Sequence, residues 1–162
     1  MDEVRPILQD FVNKFWAVGQ SLGLQGFGGR KPPEICIENL RSSTLGYYAP
    51  RHNRISLGAH PLARTDLRAF LEILKAGKDE SKLKNNSLYI EYLQLGPPQA
   101  KHSATLIHEL EHARRNSEER EGNHTPQIIH VPGEEFGREF DFEACANEFY
   151  RRILPGLSAS WP

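Results

Sequence analysis

His108 and His112 stand one helical turn apart with Glu109 between them, in a stretch from Pro98 to Arg115 that no glycine or further proline interrupts. Residues four apart share one face of a helix. Two imidazoles at that spacing reach a single tetrahedral metal, while the carboxylate one position on leans over the open coordination site. The flanks favour the helix this arrangement needs. Pro97 and Pro98 end whatever precedes them, and Pro98 suits a first helical turn, where a missing N–H costs nothing. Arg114 and Arg115 fall near the C-terminal end, where cations complement the helix dipole. Ala104, Ile107, Glu111 and the stem of Arg114 line one side of this helix, and Thr105, His108 and His112 another.

The pattern His108-Glu109-Leu110-Glu111-His112 has the His-Glu-x-x-His form of zinc peptidases. Composition sets limits around it. The chain has 162 residues, enough for one domain with its own core, and a formal net charge of −1 with acidic and basic residues interspersed. Neither a nucleic-acid footprint nor a polybasic membrane patch is implied. Cys36 and Cys145 are too few and too distant for a disulfide framework, and neither lies in a Cys-x-x-Cys pair; Cys145 is expected to pack as a small apolar residue. No stretch approaches the roughly 20 apolar residues of a membrane span, and no signal-peptide pattern opens the chain. The expectation is a soluble cytoplasmic protein.

Along the chain, Ile7, Leu8, Phe11, Val12, Phe15 and Trp16 have the spacing of an amphipathic helix over residues 3–22. Residues 24–33, rich in glycine and ending in Lys31-Pro32-Pro33, lack the order of a phosphate-binding loop and read as a flexible connector. Residues 34–38 alternate like a strand, and residues 44–48 and 54–57 bracket a turn at 50–53, a hairpin signal. A second helix is expected over 64–75, a charged loop over 76–87, and a segment of undecided type over 88–95. Residues 116–137 read as a long loop, and 138–154 as a last helix stopped by Pro155-Gly156. The fold class expected is α+β, with a small, mostly antiparallel sheet, in one domain spanning residues 1–162.

Two histidines leave a catalytic zinc site one protein ligand short. Candidates for the third are His124, His130, Glu139, Asp141, Glu143 and Glu148. On the last helix Phe142, Ala146, Phe149 and Ile153 form an apolar stripe, while Phe140, Glu143, Asn147 and Tyr150 share another line. A carboxylate at Glu143 with an amide at Asn147 would place one group on the metal and let the other orient a bound imidazole.

The motif at 107–113, followed by Glu143-Ala144-Cys145-Ala146-Asn147-Glu148-Phe149-Tyr150 and Leu154-Pro155, resembles the gluzincin pattern, and most of all the ImmA/IrrE-type metallopeptidases. The match spans roughly residues 104–155. It implies a zincin-like domain in which Glu143 is the third ligand, Glu109 the base, and the preceding hairpin an edge strand that receives substrate. The chain departs from that family in the long interval between the two motif helices, in Cys145 where an acidic residue is frequent, and in lacking a helix-turn-helix. A second resemblance, through Leu45-Gly46-Tyr47-Tyr48 ahead of the motif, is to the SprT-like zinc proteases, which use a third histidine and would promote His124 or His130.

The function expected is zinc-dependent endopeptidase action on a protein or peptide substrate, with one catalytic zinc on His108, His112 and Glu143 and with Glu109 as general acid and base. Tyr150, His130 and His124 are candidates for oxyanion support. Residues 54–57 are a candidate sheet edge for pairing with substrate, Ser56 among them. The rival class is a binding or regulatory domain that keeps the zinc fold without useful turnover; a carboxylate retained beside an open metal position argues against it.

Overall fold

A computed structural model describes residues 3–76, 103–116, 124–131 and 133–158. Their order is α1 (Val4–Ser21), β1 (Glu34–Glu38), β2 (Gly46–Ala49), β3 (Arg54–Gly58), α2 (Pro61–Ala76), α3 (Thr105–Arg114), β4 (Gln127–Ile129), β5 (Arg138–Phe140) and α4 (Phe142–Ser158). The class is α+β. The segment 88–95 and most of the charged loop expected before it lie outside the described residues.

Helix α1 forms where the apolar spacing predicts it and buries Leu8, Phe11, Val12, Phe15, Trp16 and Gly19; Ile7, expected on that stripe, is exposed. It ends in a Schellman turn. Gly23, at φ 66°, donates its N–H to Gln20 O and Leu24 donates to Gly19 O, which satisfies carbonyls the last turn would otherwise leave open.

The connector after α1 is packed against the core, contrary to the flexible reading. Phe27 is 1 % exposed, with its ring 4.7 Å from Trp16 and 6.2 Å from Phe149. Trp16 Nε1 and Gln20 Nε2 both donate to Arg30 O. Arg30 in turn donates from Nη2 to Ala113 O at 2.6 Å and from Nη1 to Arg114 O at 3.1 Å, so it caps the C-terminal end of α3. One large aromatic and one guanidinium thus outweigh the freedom of three glycines. Gly26 is where the connector comes closest: at φ 94°, an added Cβ would stand 2.5 Å from Arg114 O. Gly26→Ala is therefore expected to destabilise the fold by about 1–3 kcal/mol, the usual cost of a strained backbone position. Urea unfolding measures this, and an unchanged midpoint would contradict the packing described.

The first sheet has the order β1-β3-β2. β1 runs parallel to β3, with Ile35 opposite Ile55, and β2 runs antiparallel to β3, with Tyr48 opposite Ile55. This corrects the expected edge: residues 54–57 form the middle strand, whose backbone groups are committed on both sides, and Ser56 is fully buried. Burial of Ile55 and Leu57 draws β3 inward, which leaves β1 and β2 at the edges of the sheet among the described residues. The hairpin itself forms as predicted, with Asn53 at φ 47° in its turn. A second sheet pairs β4 with β5 antiparallel, so a short hairpin occupies part of the stretch read as loop, and the first residues of the expected last helix are strand instead.

Helix α2 starts at Pro61, earlier than predicted, with proline in its first turn. His60 secures this start: its Nδ1 accepts from Ala63 N–H, which leaves Nε2–H to donate to Thr44 O at 2.8 Å. Helix α3 begins at Thr105, whose N–H is taken by Asp66 Oδ2 from α2, and residues 103 and 104 are not helical. Helix α4 begins at Phe142 because Asp141 Oδ1 accepts the Ala144 N–H at 2.7 Å, a side-chain cap three residues in. It does not stop at Pro155. Leu157 is buried, and at Gly156 an added Cβ would meet Val18 of α1 at 2.8 Å, so packing against α1 carries the helix through the proline to Ser158. Among the described residues, α1, α2, α3, α4, β1, β3, β4 and β5 contribute to one apolar cluster.

Candidate metal centre

The apolar positions of α3 anchor it from beneath. Leu106, Ile107, Leu110 and Ala113 are buried, and β2 lies close alongside, since a Cβ at Gly46 would meet Thr105 Cγ2 at 2.9 Å. The opposite face carries His108 and His112 together, as their spacing requires, with ring centroids 5.0 Å apart.

His124, from the segment before β4, completes a group of three. Its Nε2 lies 3.2 Å from His112 Nε2 and 3.3 Å from His108 Nε2. The three ring nitrogens converge within metal-holding distance of one another. In a tetrahedral site with nitrogen ligands at about 2.0–2.1 Å, neighbouring ligand atoms stand about 3.3–3.4 Å apart. The two distances from His124 are close to that edge. Phe142, first in α4, packs its ring against all three imidazoles at 4.7, 4.5 and 4.7 Å, which gives the group an apolar wall.

Glu143 occupies a different place from the one expected of a ligand. Its Oε1 is 2.5 Å from His108 Nδ1, the nitrogen facing away from the cluster. A carboxylate can only accept, so Nδ1 carries the proton and Nε2 keeps its lone pair towards the other two histidines. The other oxygen, Oε2, accepts from both the N–H and the hydroxyl of Ser103. Burial works against ionising Glu143, but its bonds and charge interaction with His108 and the two bonds from Ser103 outweigh it and hold the carboxyl below its usual range. Burial likewise opposes charge on His108, and Glu143, with Glu109 and Glu111 behind it, raises the pKa regardless. For His112, burial together with the neighbouring His108, His124 and Arg115 lowers the pKa to about 3, so this imidazole is neutral at physiological pH.

Glu109 is 4 % exposed, and its Oε1 is 3.8 Å from His108 Nε2, on the nitrogen that faces the cluster. Helix geometry places it there, as read from the sequence.

The reading from sequence missed the buried ion network at the end of α3. Glu111 accepts from Arg114 Nε at 2.8 Å and Nη2 at 2.6 Å, and from Arg115 Nε at 2.6 Å. All three side chains are almost fully buried. Arg114 reaches on to Gln25 O and Gln127 Oε1, with its guanidinium 4.0 Å from the Phe149 ring centroid. Arg115 donates to Thr125 O. The available signal was Glu111 at three and four residues before two arginines, a helical spacing that favours ion pairs.

The remaining candidates stand apart from the cluster. Tyr150 lies in the core, 1 % exposed and 6.2 Å by ring centroid from Phe70, with its hydroxyl pKa pushed up by burial, so it does not line a cleft. Asn147 is buried one turn beyond Glu143. His130 is exposed, and its carbonyl accepts from Arg152. Asp141 caps α4, Glu148 pairs with Arg151 and Arg152, and Glu139 is exposed on β5. Cys145 is buried as expected, with its thiol pKa raised to about 11 mainly by burial.

Comparison with protein-family models, curated proteins and solved structures returns no match. Among the described residues, no helix is long and apolar enough to cross a membrane.

Proposed function

We propose that this chain is a zinc-dependent endopeptidase with a zincin-like domain, in which His108, His112 and His124 hold the metal. The observation that carries this reading is the convergence of three imidazoles, with His124 Nε2 3.2 Å from His112 Nε2 and 3.3 Å from His108 Nε2, and with a buried carboxylate, Glu109, beside them. A third histidine favours the SprT-like resemblance over the gluzincin one, and it moves Glu143 from ligand to orienting partner of His108. The donor set fits zinc: three imidazoles, two of them set by local spacing, leave a fourth position open.

Zinc bound there supplies polarisation of the scissile carbonyl and a more acidic water. The protein's own groups do the rest. Glu109 takes the proton from the attacking water and returns it to the leaving amine. Its burial keeps the carboxylate close to one position, and the apolar Phe142 ring covers one side of the three imidazoles. Glu143 and Ser103 fix the tautomer and plane of His108. Strand β2, at the edge of its sheet among the described residues and beside α3, offers backbone groups to an extended peptide, a sequence-tolerant mode of recognition.

Metal analysis of the purified chain is expected to find one zinc per molecule, and hydrolysis of an unfolded protein should be lost to a chelator and restored by zinc. No zinc uptake, or turnover indifferent to chelation, would overturn the reading. Within it, Glu143→Ala should lower zinc affinity or activity about 10–100-fold, as for residues that orient a ligand. Complete loss of zinc in that variant would instead place Glu143 on the metal.

A further inference from the structure

We propose that Arg115, held in place by Glu111, is the positioning residue for His124. The inference rests on the reading of His124 as a metal ligand and goes beyond it. His108 and His112 are set by one helix, but His124 arrives from a separate segment, twelve residues beyond His112, and needs its own anchor. Arg115 is the group that bridges the two. Its Nε donates to Glu111 Oε2 at 2.6 Å, within α3, and its Nη1 donates to Thr125 O at 2.6 Å, on the residue that follows His124. The guanidinium also lies 4.8 Å from the ring centroid of Phe142, the same ring that packs on all three imidazoles.

The chemistry suits such an anchor. The planar fork of arginine makes two directed, charge-assisted bonds at once from a single rigid group. Here the side chains of Arg115 and Glu111 are 2 % and 1 % exposed, so water does not compete for the bond between them. Arg114 adds a second tie to the same segment through Gln127 Oε1 at 2.7 Å, but it also binds Gln25 O in the connector, and its contribution is to the packing of several elements. Arg115 among them reaches the backbone next to the third histidine. Ordering that histidine in advance removes a cost that metal binding would otherwise bear.

The test measures zinc affinity by chelator competition on the full chain, for Arg115→Ala and Arg115→Lys, each with His124 present and in a His124→Ala background. Urea midpoints check the fold. With His124 present, Arg115→Ala is expected to weaken zinc binding about 10–100-fold. In the His124→Ala background the same substitution should leave the residual two-histidine affinity unchanged, because there is no third ligand left to position. Equal losses in both backgrounds, or none in either, overturn the proposal. If Arg115→Ala does not fold, Arg115→Lys decides: it keeps a cation against Glu111 but lacks the fork for Thr125 O, and wild-type affinity in that variant overturns the proposal as well. A wild-type chain that takes up no zinc, or a His124→Ala variant that binds like wild type, defeats the metal-site reading itself. That outcome is visible before any Arg115 variant is compared.

Discussion

Glu109→Gln is expected to reduce peptide hydrolysis by about 10²–10⁴-fold, the usual cost of losing a general base, while the protein still binds zinc. The two halves of that result have separate physical grounds. The amide is nearly the same size as the carboxylate, so the buried pocket beside His108 Nε2 keeps its shape, and none of the three converging nitrogens belongs to Glu109. What disappears is a group able to take a proton at neutral pH. Kinetics on an unfolded protein substrate, with metal content measured on the same sample, check both. Wild-type turnover would remove Glu109 from the chemistry, and loss of zinc would make it a ligand or a structural support of one.

The second large effect is expected at His124. His124→Ala should reduce zinc affinity by more than the approximately 10–100-fold attached to a residue that only orients a ligand, and hydrolysis should fall with it. The fold should survive, because His124 is exposed and its removal empties no core position. Its ring meets His108, His112 and Phe142 at the rim of the site. Compared under one chelator buffer, His124→Ala and Glu143→Ala rank the two residues directly. Stronger loss from Glu143→Ala would return the third place to the glutamate.

Sequence by itself determined the parts of this protein that depend on neighbours along the chain. His108, Glu109 and His112 share a face because a helix repeats every 3.6 residues, and that holds wherever the helix sits. The stripe of α1 and that of Phe142, Ala146, Phe149 and Ile153 in α4 were legible for the same reason. So was the hairpin of β2 and β3, whose turn is local. Only the tertiary structure decided what lies between elements. The order β1-β3-β2 turned an expected edge into a central strand, because burial of Ile55 and Leu57 depends on what packs around them. Packing of Leu157 and Gly156 against the rest of the molecule carried α4 past Pro155. Phe27 and Arg30 made a fixed layer of a glycine-rich connector, through partners more than ten residues away. The relative placement of Glu143 and His124 belongs to this second kind. Helical spacing put Glu143 on a coherent face of α4, but a face does not say which nitrogen of His108 it will meet. It meets Nδ1, and on the Nε2 side stands a histidine from another segment, beside Thr125, whose carbonyl accepts from Arg115.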